Sequence, residues 1–308
     1  MGANCSQKEC CDCKSTDTGF NSNAMVPDSM LKATDGAYDK VEDDEYAQQS
    51  TSYFDREEKE LNHLKKNAGN GVCKNGVPYK FQSGAEYKGQ WKSNVREGYG
   101  KQTWPDGATY EGQWRDNVAV GKGRFTQSDG DVYIGEWQNN MASGMGTYYH
   151  QGTTTYRGQW RSDLQDGHGI ETWNEGARYE GLFREGQKDG FGCYHWIDGS
   201  EYQGKWCDNV IDGSGLYQSS DGRCFKGQWK ESVIHGIGRY VWPGGREYSG
   251  HYKADQKDGF GVFRWPDGRV YEGFWSNGKQ CGQGRYTTKD GTTKTAFWPD
   301  GRRTPDSD

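Results

Sequence analysis

The sequence predicts an all-β protein assembled from one small unit repeated along the chain. Three observations carry this. A motif returns every 23 residues from Tyr87 onward, without insertion or deletion. Within each unit, rings and glycines alternate with period two, which sets them on one face of a strand. The chain also holds 13 Trp and 20 Tyr, although only 31% of it is hydrophobic and its mean hydropathy is -1.14. So polar a chain would ordinarily stay disordered. Its many large rings demand burial, and its 47 glycines give them somewhere to lie in place of a Leu and Val core.

From the N-terminus, Met1-Gly2-Ala3-Asn4-Cys5-Ser6 fits the N-myristoylation pattern, with Gly2 as acceptor once Met1 is removed. A single myristoyl chain binds membranes only marginally, so a second signal is expected beside it. Cys5, Cys10, Cys11 and Cys13 are candidate palmitoylation sites, and Cys5 is the nearest. These four thiols do not form two ligand pairs at the usual zinc spacing, so neither a metal nor a cofactor is expected. Residues 1–13 thus read as a lipid anchor, and residues 14–50, polar and aperiodic, as a disordered acidic tether. A short helix is expected over 51–68, capped by Ser52, with acids at its start and Lys65 and Lys66 near its end. Its apolar stripe of Tyr53, Phe54, Leu61 and Leu64 would cover the open first edge of a sheet, or bind a partner.

The array then occupies residues 76–301, followed by a tail at 302–308. Nine full units run from 87 to 293, with partial units at both ends. Each opens on a ring, a glycine and a second ring at alternate positions, as in Tyr110, Gly112 and Trp114, and carries a later Gly-x-Gly pair, as in Gly121 and Gly123. Each half-unit is one short strand, and Asp-Gly or Asn-containing segments supply the turns. Glycine inside a strand marks close approach by a neighbour, so the ring of one strand is expected to lie over the bare glycine of the next. A single unit buries too little to fold alone, and only a stack is stable. In the third unit Gln151-Gly152-Thr153 replaces the usual Asp-Gly turn, a place for a local bend.

These residues resemble the MORN repeat (membrane occupation and recognition nexus), and Tyr110-Glu111-Gly112-Gln113-Trp114 is close to its ideal opening. The resemblance covers most of the chain. It implies an elongated, single-layer antiparallel sheet of successive hairpins. It also implies a role at membrane–cytoskeleton junctions, cilia or flagella, or the cortical skeleton of protists. With the lipid signature, the expectation is a scaffold on the cytoplasmic face of a membrane, either plasma membrane or protist pellicle, that tethers or spaces cytoskeletal or signalling proteins. Two other readings are a structural part of a ciliary or flagellar axoneme and a phosphoinositide-binding module. The resemblance further leaves room for two arrays to pair as a homodimer through terminal units.

Charge and side-chain chemistry narrow the classes. Residues 1–66 hold eight Lys and Arg against fourteen Asp and Glu, and the remainder is balanced at 30 of each. A neutral array is a poor fit to nucleic acid, so none is expected as a partner. The six histidines scatter over different repeat positions and no glycine-rich loop precedes a helix, so no catalytic residue is assigned and the chain is not expected to be an enzyme. On the face opposite the rings, Phe191, Cys193, Leu216, Ile237, Val241, Phe260 and Val262 are candidate partner-binding residues.

Overall fold

The computed structural model describes residues 53–304. The lipidation residues Gly2, Cys5, Cys10, Cys11 and Cys13, the tether and the Ser52 cap lie outside the described residues. Twenty strands belong to one antiparallel sheet, from Tyr79–Lys80 to Thr293–Trp298. Each repeat gives two strands, which in the second unit are Thr109–Arg115 and Val118–Thr126. Tyr110 pairs with Phe125 inside that hairpin, and Phe125 with Tyr133 of the next. The described residues divide into two compact units, one holding 53–197 together with 206–209, the other 198–205 together with 210–304.

Alternation along each strand separates two faces. In Thr109–Arg115, Tyr110, Gly112 and Trp114 are buried while Glu111, Gln113 and Arg115 are exposed. The buried side is a ladder of rings rather than an aliphatic core. Tyr110 meets both Trp114 of its own unit and Trp137 of the next edge-on, each at 5.0 Å. Tyr133 repeats this with Trp137 at 5.3 Å and Trp160 at 5.1 Å. Edge-to-face contacts suit the ring quadrupoles. Trp114 Nε1 also donates to the Gly100 carbonyl at 3.1 Å, so the polar end of the indole is satisfied.

Glycine makes the ladder geometrically possible. Tyr110 lies flat across Gly112 and its cross-strand partner Gly123. A Cβ on Gly123 would sit 2.5 Å from Tyr110 Oη, where no real Cβ is found. The hydroxyl passes over the glycine and donates to the Gln113 carbonyl at 3.1 Å.

Two-residue turns join the strands of each hairpin. Asp116 and Asn117 both have positive φ, 48° and 72°, as the turn that matches strand twist requires. The second turn residue also grips the hairpin before it. Asn117 donates its amide to the Arg96 carbonyl at 3.1 Å, and its side-chain oxygen accepts the Arg96 amide at 2.7 Å. The same clasp joins Asn140 to Ala119, Asp163 to Ala142 and Asp255 to Ile234. Gly186 and Gly278 have no side chain and keep only the backbone half, to Gln165 and Lys257.

The atypical turn of the third unit does not interrupt pairing. It adds one pair, His150↔Thr154, beyond Tyr149↔Thr155, with Gln151 at a φ of 37°. Buried Asp131 holds this tighter loop. Its carboxylate accepts from the Tyr148 hydroxyl and the Gln151 amide and meets His150 Nδ1.

The N-terminal segment departs from expectation. The helix spans Glu58–Lys66, and the side chain of its cap residue Glu57 makes no capping hydrogen bond to the helix. Its Glu60 reaches the first edge, accepting from Tyr79 Oη and the Gln82 amide. The aromatic residues just ahead of it lie on the ring face instead. Phe54 meets Trp104, Tyr110, Trp114 and Trp137 at centroid distances of 5.3 to 5.9 Å. Tyr53 wedges beside Trp104 and Phe125. A strand edge offers mainly backbone polar groups, whereas the ring ladder offers apolar area, and large rings go where that area is.

Candidate binding surfaces

The two faces carry different chemistry. On the ring face, one repeat position holds Arg96, Lys188 and Lys257 in three units and Ala119, Ala142, Ile211 or Ile234 in others. Sequence reasoning missed these cations. The signal was present as a base in a column that otherwise holds Ala, Ile and, at Gln165 and Gln280, Gln.

Arg96 is 1% exposed, with its guanidinium 4.0 Å from the Trp114 ring centre. It donates to Gln102 Oε1 at 3.0 Å and to the Asn117 carbonyl at 2.7 Å. Burial pushes its pKa down, and the nearby Glu57 carboxylate opposes that. Glu57, itself buried, accepts from Trp104 Nε1 at 3.2 Å and from Gln102 at 3.4 Å. The N-terminal segment therefore delivers a ring to the ladder and, three residues later, an acid to the buried cation.

Lys188 has a different source of acid. Its ammonium lies 2.7 Å from Glu171 Oε2, at an angle short of a hydrogen bond, and 5.0 Å from the Trp173 ring centre. Lys257 has none. It sits about 5 Å from the rings of Trp242, Tyr248, Phe263 and Trp275, and no carboxylate among the described residues forms an ion pair with it. Burial, with Arg246 adding repulsion, pulls its pKa down to about 8.

The outward face places the predicted apolar residues in the two compact units separately. Phe191, 53% exposed, and the half-buried Cys193 belong to the first. Ile237 and Phe260 are exposed in the second, with Leu216, Val241 and Val262 half-buried. Polar partners break up the second row: Leu216 pairs with Lys226, and Val262 with Ser249 and Glu272. Phe260 instead pairs with Phe274, the rings 5.6 Å apart. Sequence reasoning missed exposed Phe274 and Phe297 because they occupy the position between the glycine and ring columns, which most other units fill with polar residues. Tyr110, Gly112, Trp114, Gly121 and Gly123 lie in the second-unit hairpin, with Tyr110 and Trp114 in the ring ladder.

Other reactive groups have structural surroundings. Burial and then Glu60 push the Cys73 thiol up to about 11, which disfavours the nucleophilic thiolate. Asp189, Cys207 and Asp208 bring three potential ligand atoms within 4.8 Å, but Asp189 already pairs with Arg184, and two of the three are exposed. That trio carries no metal assignment.

A fixed ladder of rings, with side chains that change from unit to unit on either side of it, defines a repeat-built binding or scaffold module. The chain belongs to the MORN repeat family, whose repeat matches at residues 87–109, 110–132, 133–154, 156–178, 179–201, 202–222, 225–245, 248–268 and 271–293. A comparison with curated proteins found no match. Among solved structures, the chain is similar to the wild-type TCP10 domain of Danio rerio CPAP. The two are 16% identical, the match covers 67% of this chain and 97% of that one, and the TM-score is 0.38. It is also similar to the SAS-4 (dCPAP) TCP domain of Drosophila melanogaster, solved in complex with a proline-rich motif of Ana2. There the identity is 18%, the cover 51% of this chain and 85% of that one, and the TM-score 0.32. At these TM-scores the likeness carries no argument about function.

Proposed function

We propose that this protein is a non-catalytic scaffold on the cytoplasmic face of a membrane, where its MORN array tethers or spaces partner proteins at a membrane–cytoskeleton interface. Gly2 takes the myristoyl chain, and Cys5, with Cys10, Cys11 and Cys13 beside it, takes palmitoyl chains. One observation supports the binding role above others. The position between the paired glycines is spent on exposed Tyr99, Met145, Phe191, Ile237 and Phe260 in five units. Large apolar side chains facing water on a rigid framework suit protein contact.

Membrane flotation and detergent extraction of the full-length protein from acylating cells test both halves. Gly2→Ala should leave the floating fraction. A double Ile237→Asp, Phe260→Asp variant should still float but lose retention in the detergent-extracted cytoskeleton. If Gly2→Ala floats as wild type does, the lipid anchor is wrong. Cytoskeletal retention that ignores both changes would favour an axonemal component.

A further inference from the structure

Three basic residues share one buried repeat position, and two of them have an acid at hand. Arg96 has Glu57 from the N-terminal segment, and Lys188 has Glu171 from the sheet. Lys257, 9% exposed, has neither. It opens on a cavity of about 350 Å³ lined also by Trp242, Arg246, Phe263, Trp265 and Trp275. That volume lies at the small end for ligand sites. Lys279 at its rim is already paired, to Asp300, and no carboxylate among the described residues lines the cavity.

By repeat position this cavity matches the part of the site's first copy where Glu57 lies, with Lys257 for Arg96, Trp265 for Trp104 and Phe263 for Gln102, and of the rings equivalent to those around Phe54 it is lined by Trp265 and Trp275. Arg96 and Lys257 stand seven units apart at the same position. The rings that enclose Phe54 are Trp104, Tyr110, Trp114, Phe125 and Trp137. Seven units on, the same positions hold Trp265, Tyr271, Trp275, Tyr286 and Trp298. Every ring is kept. What differs is Phe263 and Arg246 in place of Gln102 and Ala85, and the cover, which in the second copy is the Arg269 and Arg303 guanidiniums, 5.2 and 5.8 Å from the Trp265 and Tyr286 ring centres. Trp104 and Phe125, clamped on Tyr53, are 2% and 0% exposed, whereas Trp265 and Tyr286 are only half-buried. Their centroids stand 6.4 Å apart, against 5.9 Å for Trp104 and Phe125. The indole N–H that donates to Glu57 in the first copy belongs to Trp104, and Trp265 holds that place in the second.

We propose that the Lys257 cavity receives a segment of a partner protein that presents an aromatic side chain and, three residues later, a carboxylate. The ring enters between Trp265 and Tyr286 as Phe54 enters the first copy, and the carboxylate meets Lys257 and the Trp265 indole. The chain's own segment cannot supply it, being seated on the first units. This goes beyond the scaffold reading, because it concerns the opposite face and needs no lipid.

The test uses purified, unacylated full-length protein and a fluorescent peptide of residues 53–66, which carries the Phe54 and Glu57 pair. Saturable binding is expected by anisotropy. It should weaken at least tenfold with Phe54→Ala or Glu57→Gln in the peptide, and as much with Lys257→Gln in the protein. Because Lys257→Gln could disturb packing, a peptide with a photoreactive benzoyl group at position 54 gives an independent readout. Crosslinks should map to Trp265 and Tyr286. Crosslinks at Trp104 and Phe125 would mean exchange at the first copy and overturn the proposal, as would the absence of saturable binding. Self-association of the protein that the peptide competes away would make the occupant a second copy of this chain and overturn the partner assignment. None of these outcomes bears on flotation, so the two readings fail separately.

Discussion

Replacing Gly123 by alanine tests the principle on which the ring ladder rests. The three atoms nearest the new Cβ are all in the Tyr110 ring, at 2.5 to 2.7 Å. Tyr110 is fully buried, so it cannot tilt without giving up contacts. It would lose the hydroxyl bond to Gln113, worth about 1 kcal/mol. It would also strain edge-to-face contacts with Trp114, Trp137 and Phe54, each about 0.5–1.5 kcal/mol. Partial loss of these puts the cost at roughly 2–3 kcal/mol, within the range for overpacked cores when side chains are forced off their rotamers. Gly107→Ala is the comparison. Its φ of 95° is unfavourable, but its Cβ would meet nothing within 4 Å, so backbone strain of about 1–2 kcal/mol is expected. The assay is equilibrium urea unfolding of the full chain followed by tryptophan fluorescence, repeated in a Tyr110→Ala background. There the obstructing ring is gone, and Gly123→Ala should cost less than about 1 kcal/mol. If its cost is unchanged in that background, the ring does not set the need for glycine and the reasoning fails.

Four further outcomes follow from the geometry. Phe54→Ala removes a ring buried against five others and should cost about 3–5 kcal/mol, read as faster hydrogen exchange over Glu58–Lys66 and the strands beneath it. Lys257→Met should stabilise the protein at pH 7. A lysine whose folded pKa has fallen to about 8 destabilises the fold fully below that pH. The penalty fades as pH rises towards the unfolded value, so wild-type stability should climb between pH 8 and 9.5 and the variant should lack that climb. Above pH 10 the sign reverses. Burial raises Tyr87 to about 12 and Tyr110 further, so their contribution is intact below the unfolded value of about 10 and is lost as pH rises through the folded values. Urea midpoints that hold steady to pH 12 would contradict this. Asp131→Ala should cost about 1–2 kcal/mol by removing the acceptor of the Gln151 amide and Tyr148 hydroxyl, and exchange at Gln151 reports it.

The sheet was legible in the sequence because its code is local. A ring two residues from a glycine fixes a face, and 23 residues fix the next occurrence, so the Tyr110 and Trp114 columns announce themselves. The N-terminal segment was legible only as a helix. That Phe54 docks on the ring face depends on five rings assembled from three units, a surface absent from any one stretch of sequence. Arg96 and Lys257 were missed for a related reason. In isolation each is one base among many on a polar chain, and only pairing shows that its strand position points into the ladder. The outward apolar residues were found by position, but the Phe260 and Phe274 contact depends on cross-strand register.

The turn clasp has a mechanical corollary. Each unit is coupled to the next through the ladder, the strand pairing and the two bonds of the clasp. The array thus behaves as a row of linked elements whose weakest joint decides where it parts. Gly186 and Gly278, like Gly301 at the last joint, hold by one clasp bond where Asn117, Asn140, Asp163, Asn209, Ser232 and Asp255 hold by two. Under load applied at its ends, as a tether in a cell cortex would feel it, the array should open first beside those glycines. It would lengthen in steps, with the segments between them still folded, and act as an extensible link rather than a rigid strut.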